Sequence, residues 1–385
     1  MARRASALLP LACAALCARA RGAAPGVLVF RNASENYHTF RLPALAALSG
    51  GALLACAEAR ARQGFVPPHG DTGDCYGAGA SAQDWRCTNK DVACKRSADG
   101  GRSWGAAAAL ALATDTEFFT NPQLLVADAS AGVVFLEYMR CVSPTNGGSS
   151  FLNCTAVLRR SGDGGATWSA PADVPPAAQQ SSGGFGGIVT AGGRLVFSPP
   201  GGKQTGALFS DDGGATWAWG APLPRGGESQ VAEAAPGGAL LLTVRHANNS
   251  RAIYSSADGG ETWGPPAPQN VTDPNCQASL IAVHAPGAGA RRLLFANPHT
   301  SGLLPSPYGR LNVTVQASDD GGATWAPILV VDPGPSAYTA LAQLAPAGAG
   351  PASCAIMYEW SDDYPVDFFG ISFLTFDCAL PPLAS

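Results

Sequence analysis

The stretch SADGGRSW at residues 97–104 decides the fold, because the same eight-residue pattern recurs four more times along the chain. The later copies are SGDGGATW at 161–168, SDDGGATW at 210–217, SADGGETW at 256–263 and SDDGGATW at 318–325. Their tryptophans are 64, 49, 46 and 62 residues apart from one copy to the next. A repeat of about 40–50 residues, lengthened by loops, is typical of β-propeller blades.

Each copy has the features of a tight hairpin turn. An apolar or alternating run precedes it, such as TAVLRR, RAIYS or NVTVQA, and the tryptophan begins the return strand. The glycine pair allows positive φ in the turn, and the aspartate carboxylate can accept backbone N–H groups across it. The tryptophan is expected to pack between neighbouring sheets.

Strand-like runs outside the five copies complete the ring. GVLVF and GALLACAEA precede the first copy, and CAIMYEW and ISFLTF follow the last. If the final run pairs with the strand that begins near Val27, the ring closes and no sheet edge stays exposed. The sequence therefore predicts an all-β fold, a six-bladed β-propeller, as a single domain over residues 25–385.

The composition agrees with this fold and excludes several classes. Only 14% of the residues are charged, and 47 glycines and 31 prolines indicate a turn-rich chain. A formal net charge of −4 gives no general attraction to nucleic acid or acidic membranes. Residues 1–24 have the charged start, short apolar run and small residues of a signal peptide, and no stretch is long enough for a transmembrane helix.

Cysteines and glycosylation sequons also point to export. Sequons begin at Asn32, Asn153, Asn248, Asn270 and Asn312. With Cys13 and Cys17 in the signal peptide, the spacing suggests four disulfide pairs and leaves Cys276 unpaired; the pairs are Cys141–Cys154, Cys75–Cys87, Cys354–Cys378 and Cys56–Cys94. We expect no metal site at the cysteines, because no C-x-x-C occurs and the five histidines are scattered. The expected location is secreted, or the lumen of an endomembrane or lysosome-like compartment.

The five repeats resemble Asp boxes, which occur in sialidases and in other propellers, and further segments resemble the sialidase family itself. YHTFRLPAL is similar to the family's F/Y-R-I-P signature, with Leu42 in the usual Ile position, and it nominates Arg41. Arg245 stands eleven residues before the fourth box and Arg310 eight before the fifth, as the second and third family arginines do. The resemblance implies that these three arginines bind a substrate carboxylate.

The same resemblance nominates a nucleophile and its base. DPGPSAYTAL is similar to the family's G-P-S-A-Y-S segment and places the nucleophile at Tyr338. Glu228, in GESQVAEAAPGG, is the implied base; Glu233, five residues on, should point to the opposite face of an extended strand. Glu359, in MYEWSD, resembles the family glutamate that supports the first arginine.

The acid/base aspartate and the pocket are less defined. The family carries this aspartate in the loop after the strand that ends in AEAR, past an arginine that matches Arg60. That loop is enlarged here, so several aspartates remain open: Asp84 first, then Asp74, with Asp71 and Asp91 as further candidates. Asp91 resembles instead an aspartate of the following strand, and Trp85 and Phe119 are candidate pocket residues.

By resemblance, the chain is expected to be an exo-acting, retaining glycoside hydrolase that removes terminal sialic acid from glycans and needs no cofactor. Two other readings stay open at this point. A propeller that lacks a working acid/base aspartate would be a sialic-acid-binding lectin, and transfer of the sialic acid to a sugar acceptor would make the enzyme a trans-sialidase.

Overall fold

The structure is a computed structural model that describes residues 26–64, 89–142, 154–174, 185–198, 206–223, 227–235, 239–246, 250–269, 271–284, 291–300, 309–344, 352–361 and 370–384. Within these ranges the regular elements are strands and one short 3₁₀ turn, Ser49–Gly51. In chain order the strands are β1 (Val27–Arg31), β2 (Tyr37–Ala47), β3 (Leu53–Arg62), β4 (Lys90–Ser97), β5 (Ala108–Ala111), β6 (Glu117–Asp128), β7 (Val133–Val142), β8 (Cys154–Ser161), β9 (Ala172–Asp173), β10 (Gly187–Val189), β11 (Leu195–Phe197), β12 (Leu208–Ser210), β13 (Ala218–Trp219), β14 (Ser229–Ala235), β15 (Ala239–His246), β16 (Ser250–Ser256), β17 (Ala267–Gln269), β18 (Ser279–His284), β19 (Arg291–Pro298), β20 (Leu311–Ser318), β21 (Ala326–Gln343), β22 (Ser353–Trp360) and β23 (Gly370–Asp377).

The described strands form six antiparallel blades of four strands each. Blades 1 to 4 are the separate sheets β2–β5, β6–β9, β10–β13 and β14–β17. The other seven strands form one sheet, in which the long strand β21 belongs to two blades. Its first half pairs with β20 as the outer strand of blade 5, and its second half pairs with β22 as the inner strand of blade 6. The predicted six-bladed propeller is confirmed.

The ring closes through the two ends of the described chain. β1 pairs antiparallel with β23, with Val27 opposite Phe373 and Arg31 opposite Gly370. The first strand is therefore the outermost strand of the last blade, as the sequence predicts. This closure holds blade 1 beside blade 6 by backbone hydrogen bonds.

The core is divided into apolar layers between neighbouring blades. The layer between blades 6 and 1 contains Phe30, Phe40, Met357 and Phe373, all nearly or fully buried. Equivalent layers separate the other five pairs of blades. Because each sheet is covered on both faces, its strands are apolar on both sides, which explains runs such as LLACAEA.

The five repeated turns have the predicted hydrogen bonds. In the first copy, Asp99 Oδ1 accepts the N–H of Ser103 (2.9 Å), and Ser97 Oγ accepts the N–H of Gly101 (2.9 Å). The aspartate bond to the residue four positions on recurs in the other four copies. The third tryptophan, Trp217, packs edge-on against Phe135 at 5.5 Å between centroids. The tryptophans therefore seal the layers between blades.

Three predicted disulfides are confirmed: Cys56–Cys94, Cys141–Cys154 and Cys354–Cys378. Cys276 is buried and unpaired, as expected. The fourth pair, Cys75–Cys87, and the predicted signal peptide lie outside the described residues. In the ranges that are described, no helix has the length and apolar character needed to cross a membrane.

Glu137 is one of the acidic side chains that are buried inside a blade. Glu137 on β7 is 1% exposed, and its Oε2 accepts a hydrogen bond from Gln123 Nε2 (2.6 Å) on β6. Its other oxygen, Oε1, has no partner among the described residues. Burial away from any described cation raises the pKa of this carboxyl to about 8, so the group is neutral below that pH.

We predict that the two glycines of one turn differ sharply in their tolerance of alanine. Both have positive φ, +72° for Gly213 and +92° for Gly214. A Cβ at Gly213 meets nothing within 4 Å, whereas one at Gly214 lies 2.2 Å from the buried ring of Phe135. Gly213→Ala should cost about 1 kcal/mol from backbone strain alone. Gly214→Ala should cost several times more in urea unfolding, and equal costs would contradict this packing.

We also predict that Glu137→Gln removes part of the pH dependence of stability. The unfolded state ionises near ~4.3, while the folded state holds the proton to about pH 8. The unfolded state therefore binds fewer protons in this window, and Glu137 lowers stability as pH rises from ~4.3 to about 8. Between pH 5 and pH 8, the urea midpoint should fall less in the variant than in wild type. The control Glu261→Gln changes an exposed glutamate, and a matching effect there would contradict the assignment to Glu137.

Candidate active site

Side chains from blades 1, 4, 5 and 6 converge on one tyrosine. Tyr338 lies in the second half of β21, at the start of blade 6, and only 7% of it is exposed. It packs in a small buried cluster with Leu42, Phe185, Cys276 and Ala337. The ring of Phe185 meets it edge-on at 5.7 Å. The phenol is thus held rigidly, with its hydroxyl directed to polar neighbours.

The hydroxyl of Tyr338 donates a hydrogen bond to Glu228 Oε1. Glu228 directly precedes β14, the inner strand of blade 4, and its Oε2 accepts from Arg245 Nη1 (2.6 Å). The same Nη1 lies 3.3 Å from the hydroxyl of Tyr338. The base, the arginine and the phenol therefore form one hydrogen-bonded unit across blades 4 and 6.

The electrostatics of this unit keep its proton on the tyrosine. Burial, followed by the charge of Glu228, raises the pKa of Tyr338 well above its ordinary value. Burial acts to raise the pKa of Glu228 too, but Arg245 and the hydrogen bond from Tyr338 outweigh it, and the net pKa is lowered. A neutral phenol beside an ionised carboxylate is the arrangement that a tyrosine nucleophile with a general base requires.

A second buried carboxylate holds Arg41. Arg41 lies on β2, the inner strand of blade 1, and donates from Nε and Nη2 to the two oxygens of Glu359 on β22, at 2.7 and 2.9 Å. Arg41 is 3% exposed and Glu359 is fully buried. Glu359 also accepts the backbone N–H of Leu42 (2.8 Å) and that of Tyr338 (3.3 Å). One carboxylate therefore orients an arginine and the backbone that carries the tyrosine.

A bulge in β2 makes this arrangement possible. The register of β2 against β3 shifts between Arg41 and Ala44, and Leu42 has a φ of +57°. Positive φ is unusual for a bulky residue and marks a locally imposed backbone. The hydrogen bond from the Leu42 N–H to Glu359 stabilises the bulge. The sequence signature around Arg41 therefore specifies a bulged backbone as well as an arginine side chain.

Arg310 completes a group of three guanidinium ions around the phenol. It directly precedes β20 and is 8% exposed. Its Cζ lies 5.5 Å from the ring centroid of Tyr338, and that of Arg41 lies 5.4 Å from the same ring. The structure thus brings together six residues that the sequence nominated: Arg41, Glu228, Arg245, Arg310, Tyr338 and Glu359.

Other nominated residues have different surroundings. Arg60 donates from Nε to the fully buried Glu58 on the same strand, β3. Burial acts to raise the pKa of Glu58, but Arg60 and Lys90 outweigh it and lower the pKa to about 2. Phe119 packs against Tyr138, with 5.8 Å between the ring centroids.

Glu233 and Asp91 are both engaged in structural contacts. Glu233 accepts from Arg291 and from the N–H of Ala191 (2.9 Å), which ties three blades together. Asp91 is fully buried on β4, where it accepts from the hydroxyl of Tyr37 (2.8 Å) and from the N–H of Ala113 (2.6 Å). Burial raises its pKa. The remaining candidates, Asp71, Asp74, Asp84 and Trp85, lie outside the described residues.

The sequence analysis missed three residues that contact the cluster. Phe185 packs on Tyr338, and Asn275 and Gln277 bond to Arg245 and to Thr339. Asn275 and Gln277 lie in TDPNCQAS, which links the fourth blade to the fifth. A turn signal such as D-P-N, placed where a chain enters an inner strand, could have indicated them.

Comparison with known proteins places this geometry in context. A family model described as "BNR repeat-like domain" matches residues 85–349, more than half of the chain. The sialidase of Bacteroides fragilis is 30% identical over 340 residues, which is 78% of this chain and 57% of that protein. The sialidase of Micromonospora viridifaciens is 29% identical over 347 residues, 81% of this chain and 49% of that protein. The chain thus spans about half the length of the curated relatives it matches.

The fold of the chain is similar to that of a solved sialidase structure. The Hadza microbial sialidase Hz136 superposes with a TM-score of 0.70 and 26% identity. The match covers 92% of this chain and 69% of that one. The similarity therefore includes nearly the whole propeller.

We predict that the buried pair under the site is far more important for stability than an exposed one. Glu359→Ala leaves Arg41 charged and without its carboxylate in the core, and should lower the free energy of unfolding by about 3–5 kcal/mol. The control Glu261→Ala breaks the 2.9 Å pair with Arg194 at the surface and should cost less than ~1 kcal/mol. Urea unfolding measures both, and similar costs would contradict the structural role given to Glu359.

Proposed function

The chain belongs to the sialidase family with BNR repeats, and from this we propose that it is an exo-α-sialidase, a glycoside hydrolase that releases terminal sialic acid from glycoproteins, glycolipids or oligosaccharides. The observation that carries the proposal is the hydrogen bond from Tyr338 to Glu228 inside a group of three arginines. A site that only bound sialic acid needs cations, but has no use for a buried phenol paired with a base.

In this proposal the three arginines bind the carboxylate of the sugar. Guanidinium groups offer paired donors that match a carboxylate, and lysine does not. Arg41, Arg245 and Arg310 surround the tyrosine on different blades, so the carboxylate beside the anomeric carbon would be brought over the phenol oxygen. Their burial strengthens the attraction, because little water screens it.

The substrate also explains why the nucleophile is a tyrosine. A carboxylate nucleophile would be repelled by the sugar's own carboxylate at close range, and sialidases are an exception to the two-carboxylate rule for this reason. The phenol of Tyr338 stays neutral because its pKa is raised. Glu228, whose pKa is lowered, stays ionised and ready to accept the phenolic proton.

The proposed reaction has two steps and retains configuration. First, the Tyr338 oxygen forms a bond to the anomeric carbon as its proton passes to Glu228; the bond to the leaving oxygen breaks, and that oxygen takes a proton from an aspartic acid. Second, the aspartate accepts a proton from water, whose oxygen attacks the anomeric carbon. The bond to Tyr338 then breaks, and Glu228 returns the proton to the phenol.

We place the acid/base aspartate in the segment between β3 and β4, with Asp84 first and Asp74 and Asp71 as alternatives. Asp91 is the less suitable candidate, because both of its oxygens already accept hydrogen bonds in a fully buried position. The segment follows Arg62 at the end of β3, on the blade that carries Arg41.

The disulfides support an oxidising location. Three bonds within the propeller are typical of proteins that pass through a secretory pathway or reach the cell exterior. We therefore propose a secreted protein or one in the lumen of an endomembrane compartment, where sialylated glycans are present.

We expect Tyr338→Phe to lower turnover of an α-sialoside by at least about 100-fold, because the nucleophile is removed while its ring packing is kept. Release of a fluorescent aglycone between pH 4 and 8 measures this, with Tyr254→Phe, a core tyrosine of blade 4, as the matched control. Wild-type-like turnover in Tyr338→Phe would rule out the nucleophile assignment. Saturable binding of a sialic acid analogue by wild type without any turnover would identify a lectin, and sialylated acceptor products would identify a trans-sialidase.

A further inference from the structure

The segment that links blade 4 to blade 5 contacts two of the three arginines through one residue. Asn275 Oδ1 accepts a hydrogen bond from Arg245 Nε (2.7 Å), and its backbone carbonyl accepts from Arg310 Nη2 at 3.5 Å. Asn275 has a φ of +59°, the left-handed conformation that asparagine adopts more readily than other non-glycine residues. That backbone directs its carbonyl and its side chain to two different arginines.

A buried ion pair holds this segment in place. Arg251 and Asp273 are both almost completely buried and lie 3.0 Å apart. Asp273 accepts the N–H of Cys276 (3.1 Å), and Arg251 donates to the carbonyl of Cys276 (2.8 Å). The residue after Asn275 is therefore fixed on both its backbone groups, which leaves Asn275 little freedom.

The same segment also reaches the strand of the tyrosine. Gln277 donates from Nε2 to the carbonyl of Thr339 (2.9 Å) and accepts the Thr339 N–H at its Oε1 (2.8 Å). Thr339 directly follows Tyr338. Residues 273–277 are thus a single rigid connection between Arg245 on blade 4, Arg310 on blade 5 and the nucleophile strand of blade 6.

The contacts of Arg245 show why its Nε needs a partner. Its Nη1 is shared between Glu228 and the hydroxyl of Tyr338, so it serves the base and the nucleophile. Its Nε donates to Asn275, and none of the described residues accepts a hydrogen bond from its Nη2. To keep both contacts of Nη1, the guanidinium plane of Arg245 needs a fixed orientation. The hydrogen bond from its Nε to Asn275 provides that orientation.

We propose that Asn275 is a positioning residue of the reaction: it fixes the orientation of Arg245 and Arg310 so that both can bind the substrate carboxylate while Arg245 still contacts Glu228 and Tyr338. The proposal rests on the sialidase function proposed above. It assigns to Asn275 no contact with the reacting atoms.

The test is Asn275→Gly, which keeps the left-handed backbone accessible and removes the side-chain acceptor. The matched control is Asn36→Gly, an exposed asparagine with a φ of +69° in the turn between β1 and β2. Each variant is compared with wild type for kcat and KM on an α-sialoside, for the pH profile of kcat/KM, and for the urea midpoint. We expect Asn275→Gly to lower kcat/KM by about 10- to 100-fold, as small misplacements of catalytic groups do.

The pH profile separates positioning from a merely structural role. Glu228 faces Arg245, Arg310 and the phenol of Tyr338, with Cys276 nearby, and Arg245 contributes most to the lowering of its pKa. If Arg245 loses its fixed place, the acid limb of kcat/KM should move to higher pH. Acetamide, which matches the deleted side chain, should restore part of the activity of Asn275→Gly and have no effect on Asn36→Gly.

The outcomes distinguish this inference from the proposed function. Active wild type with an unchanged pH profile in Asn275→Gly would overturn the positioning role, whether or not the urea midpoint falls. Folded but inactive wild type would contradict the sialidase function, and calorimetric binding of a carboxylate-bearing sialic acid analogue then decides the positioning role by itself. In that case affinity equal to wild type in Asn275→Gly would overturn it.

Discussion

Closure of the ring is the constraint on which the site depends. Arg41 and Glu359 are 318 residues apart in the chain, and they meet because β1 pairs with β23 and places blade 1 against blade 6. The apolar layers between blades supply the favourable burial that keeps the ring closed. Asp-box turns contribute to such layers: a Cβ at the second glycine would lie 2.1 Å from the ring of Phe373 at Gly101 and 2.2 Å from that of Phe135 at Gly214. The repeats therefore influence the site indirectly, because they determine which strands are neighbours.

Within the closed ring, the site contains more arginines than carboxylates, and two carboxylates orient these arginines. Among the described residues of the site, three guanidinium groups face Glu228 and Glu359, which gives this group one net positive charge. The two carboxylates have different tasks because their partners differ: Glu359 accepts from Arg41 and from the backbone N–H groups of Leu42 and Tyr338, whereas Glu228 accepts from a phenol and from Arg245. Burial beside Phe185 and Cys276 keeps water from weakening these contacts. Asn275 then adds a neutral acceptor, which orients Arg245 without consuming its charge.

Much of this arrangement was accessible from sequence because it repeats or follows a strand period. The five boxes predict blades, and the family resemblance nominates Arg245 and Arg310 from their positions eleven and eight residues before their boxes. Alternation along an extended strand separates Glu228 from Glu233, and the structure places the second against Arg291 rather than Tyr338. Asn275, Gln277 and Phe185 were missed, since a link between blades has no period to read. The position of Asp91 was recognisable as a strand, but its bond to Tyr37 across 54 residues was not.

The sequence by itself determined the blade count and the turn chemistry, because the same eight-residue box recurs along the chain. It suggested the three confirmed disulfide pairs, whose cysteines are 13, 24 and 38 residues apart, and its resemblance to a family nominated the residues suited to an anionic sugar. The tertiary structure alone decided that Glu359 also accepts the backbone N–H of Leu42 on another blade, and that Asn275 contacts both Arg245 and Arg310. These are contacts between different blades, and their geometry depends on how six sheets twist and pack around one axis. That packing is a property of the whole ring, and no single segment specifies it.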